Sequence, residues 1–376
     1  MDNIVITHKA GPRVEIKGTS KKIYKVEFID DETGRVVFVD TIGVNRYTKA
    51  NPEYYVKWRI KISEIESVNS NINVKTIHDD VLNLEGKNVL ISFESSALGD
   101  TISWMPYVLE FKRKHNCNIY CATFKNQLFI DEYPEINFIS RREVVPDVIA
   151  VYKIGWFGRG ERNHKNKTDC RTIPLQKLIC EALGLEYKEI RPKITLSNRP
   201  PLFNNDNYVA ISVDSTAQAK YWNRPGGWQA LVNWLNDRGY TVVVLGRQKN
   251  KLNNVIDKTG ILSLEQLTNY LQYAKFYIGL SSGLAWMSWA LGKKVVMIAG
   301  FTAKWFEFQE NNYRVHNDKV CNSCFTDTRY WFNRGDWMWC PVHKNTPNHF
   351  ICHKSITPEM VEEKVIELER DLVNNK

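Results

Sequence analysis

Three short stretches of the chain place small residues and hydroxyls, and in two of them one charge, directly behind an apolar run, the pattern of a strand that turns into a helix. The first is Ser95-Ser96-Ala97-Leu98-Gly99-Asp100, behind NVLISFE at 88–94. A helix N-terminus offers unpaired N–H groups and partial positive charge, and glycine admits a ligand close to the backbone. Asp100 reads in two ways there: as a helix N-cap, or as a carboxylate at the mouth of a cleft, placed to act as a general base. The second stretch, Ser215-Thr216-Ala217-Gln218-Ala219-Lys220, follows YVAISVD at 208–214. Its hydroxyls, amides and ammonium suit a diphosphate, with Lys220 as a point charge. The alternative is a polar loop carrying an exposed lysine. It is not a Walker loop, because no G-x-x-x-x-G-K-[ST] pattern is present. The third stretch, Ser281-Ser282-Gly283-Leu284, lies behind KFYIGL at 275–280. It suits a phosphate or sugar hydroxyls, and it would equally serve as a tight strand-to-helix turn.

A fourth constellation is of a different kind. Cys321, Cys324, Cys340 and Cys352 form C-x2-C-x15-C-x11-C in an aromatic, loop-like segment, whereas Cys117, Cys121, Cys170 and Cys180 are scattered. In a cytosolic chain disulfides are improbable, and clustered thiols point to one structural metal ion, zinc or iron. His343, His349 and His353 are substitutes for one thiolate, and unrelated free thiols are the alternative. About thirty residues with little regular structure bury little core, so a metal would have to fix them. The segment is expected to project from the second α/β region, away from Asp100.

The elements that must position these residues fall into zones. Residues 1–85 read as β-rich, with alternation in KKIYKVEFID and a hairpin signal at DETG. No catalytic pattern appears there, and a small sandwich or barrel for packing or partner contact is expected. Residues 86–200 and 201–318 each read as alternating strands and helices, the text of open parallel sheets. They are separated by the proline-containing connection NRPPLFNND at 198–206. The three small-residue stretches then all lie at C-terminal ends of strands, where such sheets bind ligands. The cysteine segment occupies 319–355, and a closing helix, capped by Thr357 with Pro358 at its first position, occupies 356–376.

Composition narrows the function classes. A chain of 376 residues exceeds one ordinary domain. The net charge of +9, from 51 Lys+Arg against 42 Asp+Glu, points toward acidic partners. The positive residues are scattered, without an arginine-rich arm or RNA-recognition signature, which counts against a nucleic-acid-binding protein with a metal finger. No apolar run of about 18 residues occurs, so no membrane span is expected. The first residues lack a signal-peptide layout, so a cytoplasmic location is expected.

The order of F-E-S-S-A-L-G-D-T, S-T-x-x-x-K-x-W and G-L-S-S-G-L-A-W-M-S-W-A-L-G resembles the heptosyltransferase superfamily of the GT-B fold. The lipopolysaccharide enzymes of that superfamily carry Asp where this chain has Ser281 and His where it has Trp286. Those departures, the β-rich N-terminus and the four cysteines resemble instead the bacterial autotransporter heptosyltransferases. The resemblance implies an α/β, GT-B type architecture: two Rossmann-like domains facing a cleft, with an N-terminal β-rich domain and a four-cysteine metal finger. It implies an ADP-heptose donor and serine hydroxyls of an autotransporter adhesin as acceptor. It assigns Asp100 as base, Ser215, Thr216 and Lys220 to the donor diphosphate, and Ser282, Gly283 and Leu284 to the donor loop. It also implies iron in the finger and a large ring-like homo-oligomer, with a dodecamer as the candidate size. No D-x-D motif is apparent, so no catalytic divalent cation is expected; Lys220 and helix amides would take that role. A lipopolysaccharide-type heptosyltransferase, or another sugar-nucleotide enzyme acting on a glycan or lipid, is the rival reading.

Overall fold

Alternating apolar residues in the N-terminal region build two antiparallel sheets around one core. The computed structural model describes residues 2–68, 71–155, 157 and 164–374. Residues 1, 69–70, 156, 158–163 and 375–376, parts of the units expected at 1–85, 86–200 and 356–376, lie outside the described residues. The strands are β1 (Asn3–Thr7), β2 (Arg13–Lys17), β3 (Ile23–Asp30), β4 (Arg35–Gly43), β5 (Arg46–Lys49), β6 (Trp58–Val68) and β7 (Asn71–Val81). One sheet has the order β1-β2-β5 and the other β4-β3-β6-β7. Val14 and Ile16 of β2 meet Tyr24, Val26 and Phe28 of β3 and Trp58, Ile60 and Ile62 of β6 in a shared core.

The first parallel sheet contains β8 (Asn88–Phe93), β9 (Asn118–Ala122), β10 (Asn137–Phe138) and β11 (Val148–Ile154), in the order β10-β9-β8-β11. Helix α1 (Leu98–His115) follows β8, and α2 (Leu175–Leu183) follows β11. His8 ties the N-terminal strands to this sheet: its N–H donates to the Ile149 carbonyl (2.9 Å), and its own carbonyl accepts from Val151 (3.1 Å).

The second parallel sheet contains β12 (Tyr208–Ile211), β13 (Thr241–Gly246), β14 (Ile256–Thr259), β15 (Tyr277–Leu280), β16 (Val295–Ile298) and β17 (Asn312–Val315). Their order is β14-β13-β12-β15-β16-β17, the Rossmann order in which the topology reverses between β12 and β15. Helices α3 (Gly227–Asp237), α4 (Leu264–Tyr273) and α5 (Gly283–Ala290) connect these strands. A short α6 (Ile351–Lys354) precedes α7 (Pro358–Asn374). Val361, Val365 and Leu368 line one face of α7 and bury against this sheet, as the spacing of an amphipathic helix requires. The Thr357 hydroxyl accepts from the Met360 N–H (3.4 Å) at the start of α7. Among the described residues no helix is long and apolar enough to cross a membrane.

Candidate active site

The two parallel sheets are brought together by two glycines. Gly99, in the first turn of α1, faces Trp286 of α5: a Cβ there would lie 3.0 Å from the Trp286 ring. A Cβ on Gly283 would lie 2.7 Å from Leu98 Cβ and 3.1 Å from Gly99 N. The heads of α1 and α5 therefore approach at backbone distance, which no larger residue permits. Trp286 is buried, with its ring 5.0 Å from Phe308 and 5.6 Å from Trp289. It acts as a packing wall of this junction.

On the α1 side sits Asp100. The N-cap of α1 is Ala97, which makes no side-chain capping bond, so Asp100 is not the cap that its position allowed. Its carboxylate instead accepts the Ser95 hydroxyl (2.6 Å), and Ser95 Oγ accepts the Ala97 N–H (3.2 Å). Burial raises the Asp100 pKa above the ordinary aspartate value; the Ser95 hydrogen bond and the positive charges of Lys220 and Arg334 partly oppose that. A carboxylate in such surroundings holds its proton more strongly and is a better base.

On the other side the segment behind β12 carries Lys220 at the end of a single 3-10 turn, Gln218–Lys220. Asp214 fixes the start of this segment by accepting the Arg247 N–H (2.8 Å) and Gln248 N–H (3.0 Å). The Lys220 ammonium lies 5.5 Å from the centre of the Phe301 ring. Burial lowers its pKa below the ordinary lysine value, opposed by the carboxylates of Glu307 and Asp100 and reinforced by Arg334. The charges of Asp100 and Lys220 each act on the other across the junction. Ser215 and Thr216 lie in the same segment, with Thr216 exposed. Ser282, the N-cap residue of α5, has an enclosed hydroxyl that makes no hydrogen bond of full geometry, although it lies beside the Tyr277 hydroxyl. Gly283 and Leu284 open α5, so the second and third stretches meet at the topological switch point.

The cysteine segment does not project away from Asp100. The Gln218 N–H donates to the Trp337 carbonyl (3.3 Å), and the Tyr221 and Trp337 rings pack 5.8 Å apart. Ala219 is buried with Phe301, Trp339, Cys340 and Phe350. Arg171, which precedes α2, donates to the carbonyls of Thr328 (2.7 Å) and Tyr330 (2.6 Å). The segment thus rests on both sides of the cleft, and the charge of its Arg334 reaches Asp100 and Lys220. The expectation of a remote finger failed because aromatic side chains between the cysteines found a long-range core that local spacing does not reveal.

The four thiols share one neighbourhood. Burial raises the Cys324 pKa, with Cys321, Cys352 and Cys340 adding to the effect; burial, Cys340 and Cys321 push Cys352 up to about 12. The donor set is chemically suited to a soft tetrahedral ion. Among the described residues, however, no three His, Cys, Asp or Glu side chains stand in a ligating arrangement.

Sequence reasoning missed Glu307, Arg314 and Arg334. Arg334, in an Asn-Arg-Gly turn among aromatics, and Glu307, within WFEFQ, carry no local signature.

Residues 174–329 match the model of glycosyltransferase family 9 (heptosyltransferase). The autotransporter heptosyltransferase Aah of Escherichia coli is 35% identical over 351 residues, covering 90% of this chain and 87% of its own. The crystal structure of the iron-containing dodecameric glycosyltransferase TibC from enterotoxigenic E. coli H10407 superposes with a TM-score of 0.89 at 30% identity, covering 98% of this chain and 96% of that one. The same protein has been solved in complex with ADP-D-β-D-heptose, and that structure superposes with a TM-score of 0.88 at 29% identity, over the same shares of each chain. E. coli ADP-heptose lipopolysaccharide heptosyltransferase II, at 16% identity and a TM-score of 0.53 over 75% of this chain and 98% of its own, shares the fold. The chain belongs to the autotransporter heptosyltransferases of glycosyltransferase family 9.

Proposed function

We propose that this protein transfers heptose from ADP-heptose to serine hydroxyls of an autotransporter adhesin, with inversion at the anomeric carbon and Asp100 as general base. What supports the reading is the close approach of the α1 head, which carries Asp100, to the α5 head at Gly99 and Gly283, together with the mutual charge effect of Asp100 and Lys220. The acceptor Oγ attacks the anomeric carbon while its proton passes to the Asp100 carboxylate. The bond from that carbon to the diphosphate oxygen breaks, and ADP leaves with the electron pair. Its growing negative charge meets the Lys220 ammonium, the Ser215 and Thr216 hydroxyls, and the N–H groups at the head of α5 around Ser282, Gly283 and Leu284. One base suffices for such a direct displacement.

Cys321, Cys324, Cys340 and Cys352 are proposed to hold one iron ion, as suits their kinship with the iron-containing TibC. The ion would supply structure, fixing the segment that rests on the Gln218–Lys220 turn. A dodecamer, a cytoplasmic location and the unit boundaries 1–85, 86–200, 201–318, 319–355 and 356–376 belong to the same proposal. Intact-mass analysis of a serine-bearing adhesin fragment incubated with ADP-heptose tests the activity. A gain of one heptosyl mass per modified serine is expected. Transfer to a lipopolysaccharide core acceptor with none to the adhesin would replace this reading with the glycan-directed one.

A further inference from the structure

Beneath the head of α5 lies a charged network that the transfer mechanism does not yet use. Glu307, 3% exposed, sits on the connection between β16 and β17. Its carboxylate accepts the Ser281 hydroxyl, the Thr302 hydroxyl (2.8 and 3.1 Å to the two oxygens) and Arg314 Nη1 (2.6 Å). Arg314, on β17, also donates through Nη2 to the Thr302 carbonyl (2.8 Å) and hydroxyl (2.9 Å). Both charged side chains are nearly inaccessible, at 1% for Glu307 and 8% for Arg314. Removing two charges from water is expensive, and a packed apolar pair is often as stable. A buried ion pair whose carboxylate reaches the residue just before the donor loop therefore calls for a role beyond stability.

We propose that Glu307, anchored by Arg314 and Thr302, is a positioning residue for the transfer: it holds the Ser281 turn that aims the head of α5 and sets the field in which Lys220 works. The inference rests on the proposed role of Lys220 toward the diphosphate. Through Ser281, the carboxylate fixes the exit of β15, so the N–H groups of the following turn keep one direction. Through space, it adds negative charge near the Lys220 ammonium. The charged groups facing Lys220 are Glu307, Asp100 and Arg334. Glu307 and Asp100 favour the ammonium form, while burial and Arg334 disfavour it. Asp100 takes up the acceptor proton during the reaction, so its support of the Lys220 ammonium is lost as ADP departs.

The test compares Glu307→Gln, the double variant Glu307→Gln with Arg314→Met, and Ser281→Ala in the full-length protein. The double variant avoids leaving a buried guanidinium unpaired, which by itself can unfold a protein. Ser281→Ala keeps the ion pair and removes only its link to the loop. Folding is followed by thermal melts, ADP affinity by calorimetry, and transfer from ADP-heptose across pH. Ser281→Ala is expected to weaken the donor KM by roughly tenfold, the scale of one charge-assisted hydrogen bond, with the alkaline limb of the pH profile unmoved. The double variant is expected to shift that alkaline limb to lower pH, because Lys220 then loses its proton more easily. In the Lys220→Arg background the limb should vanish, with or without Glu307. A folded double variant with the wild-type pH profile and donor KM overturns the inference. Wild-type protein that fails to bind ADP overturns instead the reading on which it rests.

Discussion

The two sides of the cleft are built alike and charged oppositely. On each side an apolar strand, β8 or β12, runs into a short segment at a topological switch point, and one ionisable residue stands there. Asp100 on the first side and Lys220 on the second are both shifted chiefly by burial, yet in opposite directions: the acid is raised and the amine lowered. Desolvation disfavours charge of either sign, so partial burial makes a stronger base of the carboxylate and a weaker hold on the proton of the ammonium. Their mutual attraction opposes both shifts. The comparison teaches that the two proposed roles would share one environment, and that a change of charge on one side is felt on the other.

Breaking the acid side should have the largest effect. Asp100→Asn keeps the size of the side chain and its acceptance from Ser95, but removes the base. Transfer is expected to fall by about 10²–10⁴-fold while calorimetry finds ADP binding retained. Breaking the basic side comes next. Lys220→Ala should slow transfer by about 10²-fold and weaken ADP binding, with Lys220→Arg restoring part of both, since a planar fork does not reproduce a point charge. Normal ADP affinity together with a normal rate in Lys220→Ala would remove that side from the comparison.

The junction between the sides can be broken without touching a charge. Gly283→Ala places a methyl group 2.7 Å from Leu98 Cβ and so drives the heads of α1 and α5 apart. A loss of about 1–3 kcal/mol in stability is expected from overpacking of this kind, along with slower transfer. Thermal melts and steady-state rates would check it.

Cys324→Ser sharpens the comparison on the basic side alone. Elemental analysis should find the metal lost. Because the cysteine segment touches the Gln218–Lys220 turn through Trp337, ADP affinity should fall a few-fold as well. A remote finger would leave that affinity unchanged.

The smallest effect concerns stability rather than transfer. Burial pushes His8 and His115 each down to about 4, so both stay neutral in the folded chain while the unfolded chain takes up protons below about pH 6.5. Their contribution is intact above that pH and is lost as pH falls toward 4. His8, almost wholly buried at the seam between the β1 region and β11, should cost about 1.4 kcal/mol per pH unit in that window. Denaturant melts between pH 7 and pH 5 would follow it, and His8→Phe should flatten the slope.

The sequence made some of this legible and concealed the rest for physical reasons. β12, β13, β15 and β16 are apolar runs buried on both faces, so they stand out against their polar surroundings. β14, with the sequence IDKT, lies at the edge of its sheet and reads as loop. β17, NYRV, hides because Arg314 is kept in the interior by Glu307, a partner supplied by the preceding connection. The turns behind β8, β12 and β15 were visible because a switch point needs small residues at strand ends. That Asp100 is not a cap was invisible, since the choice between Ser95 and a helix amide as partner is made by the turn at 95–97. The position of Arg334 was invisible because it depends on Trp337 and Trp339 packing against residues more than a hundred positions away.

Burial shifts Asp100 and Lys220 in opposite directions, the directions that suit the proposed base and counter-charge. The most direct measurement is the pH profile of single-turnover transfer to an adhesin fragment under saturating ADP-heptose, for the wild type, Asp100→Asn and Lys220→Arg. Asp100 acts only when deprotonated, so the rate should rise with pH through an apparent pKa above the ordinary aspartate value. Lys220 acts only when protonated, so the rate should fall again through an apparent pKa below the ordinary lysine value. Asp100→Asn should abolish the acid limb and Lys220→Arg the alkaline one. A wild-type profile whose acid limb survives unchanged in Asp100→Asn, at near-normal rate, would contradict the account.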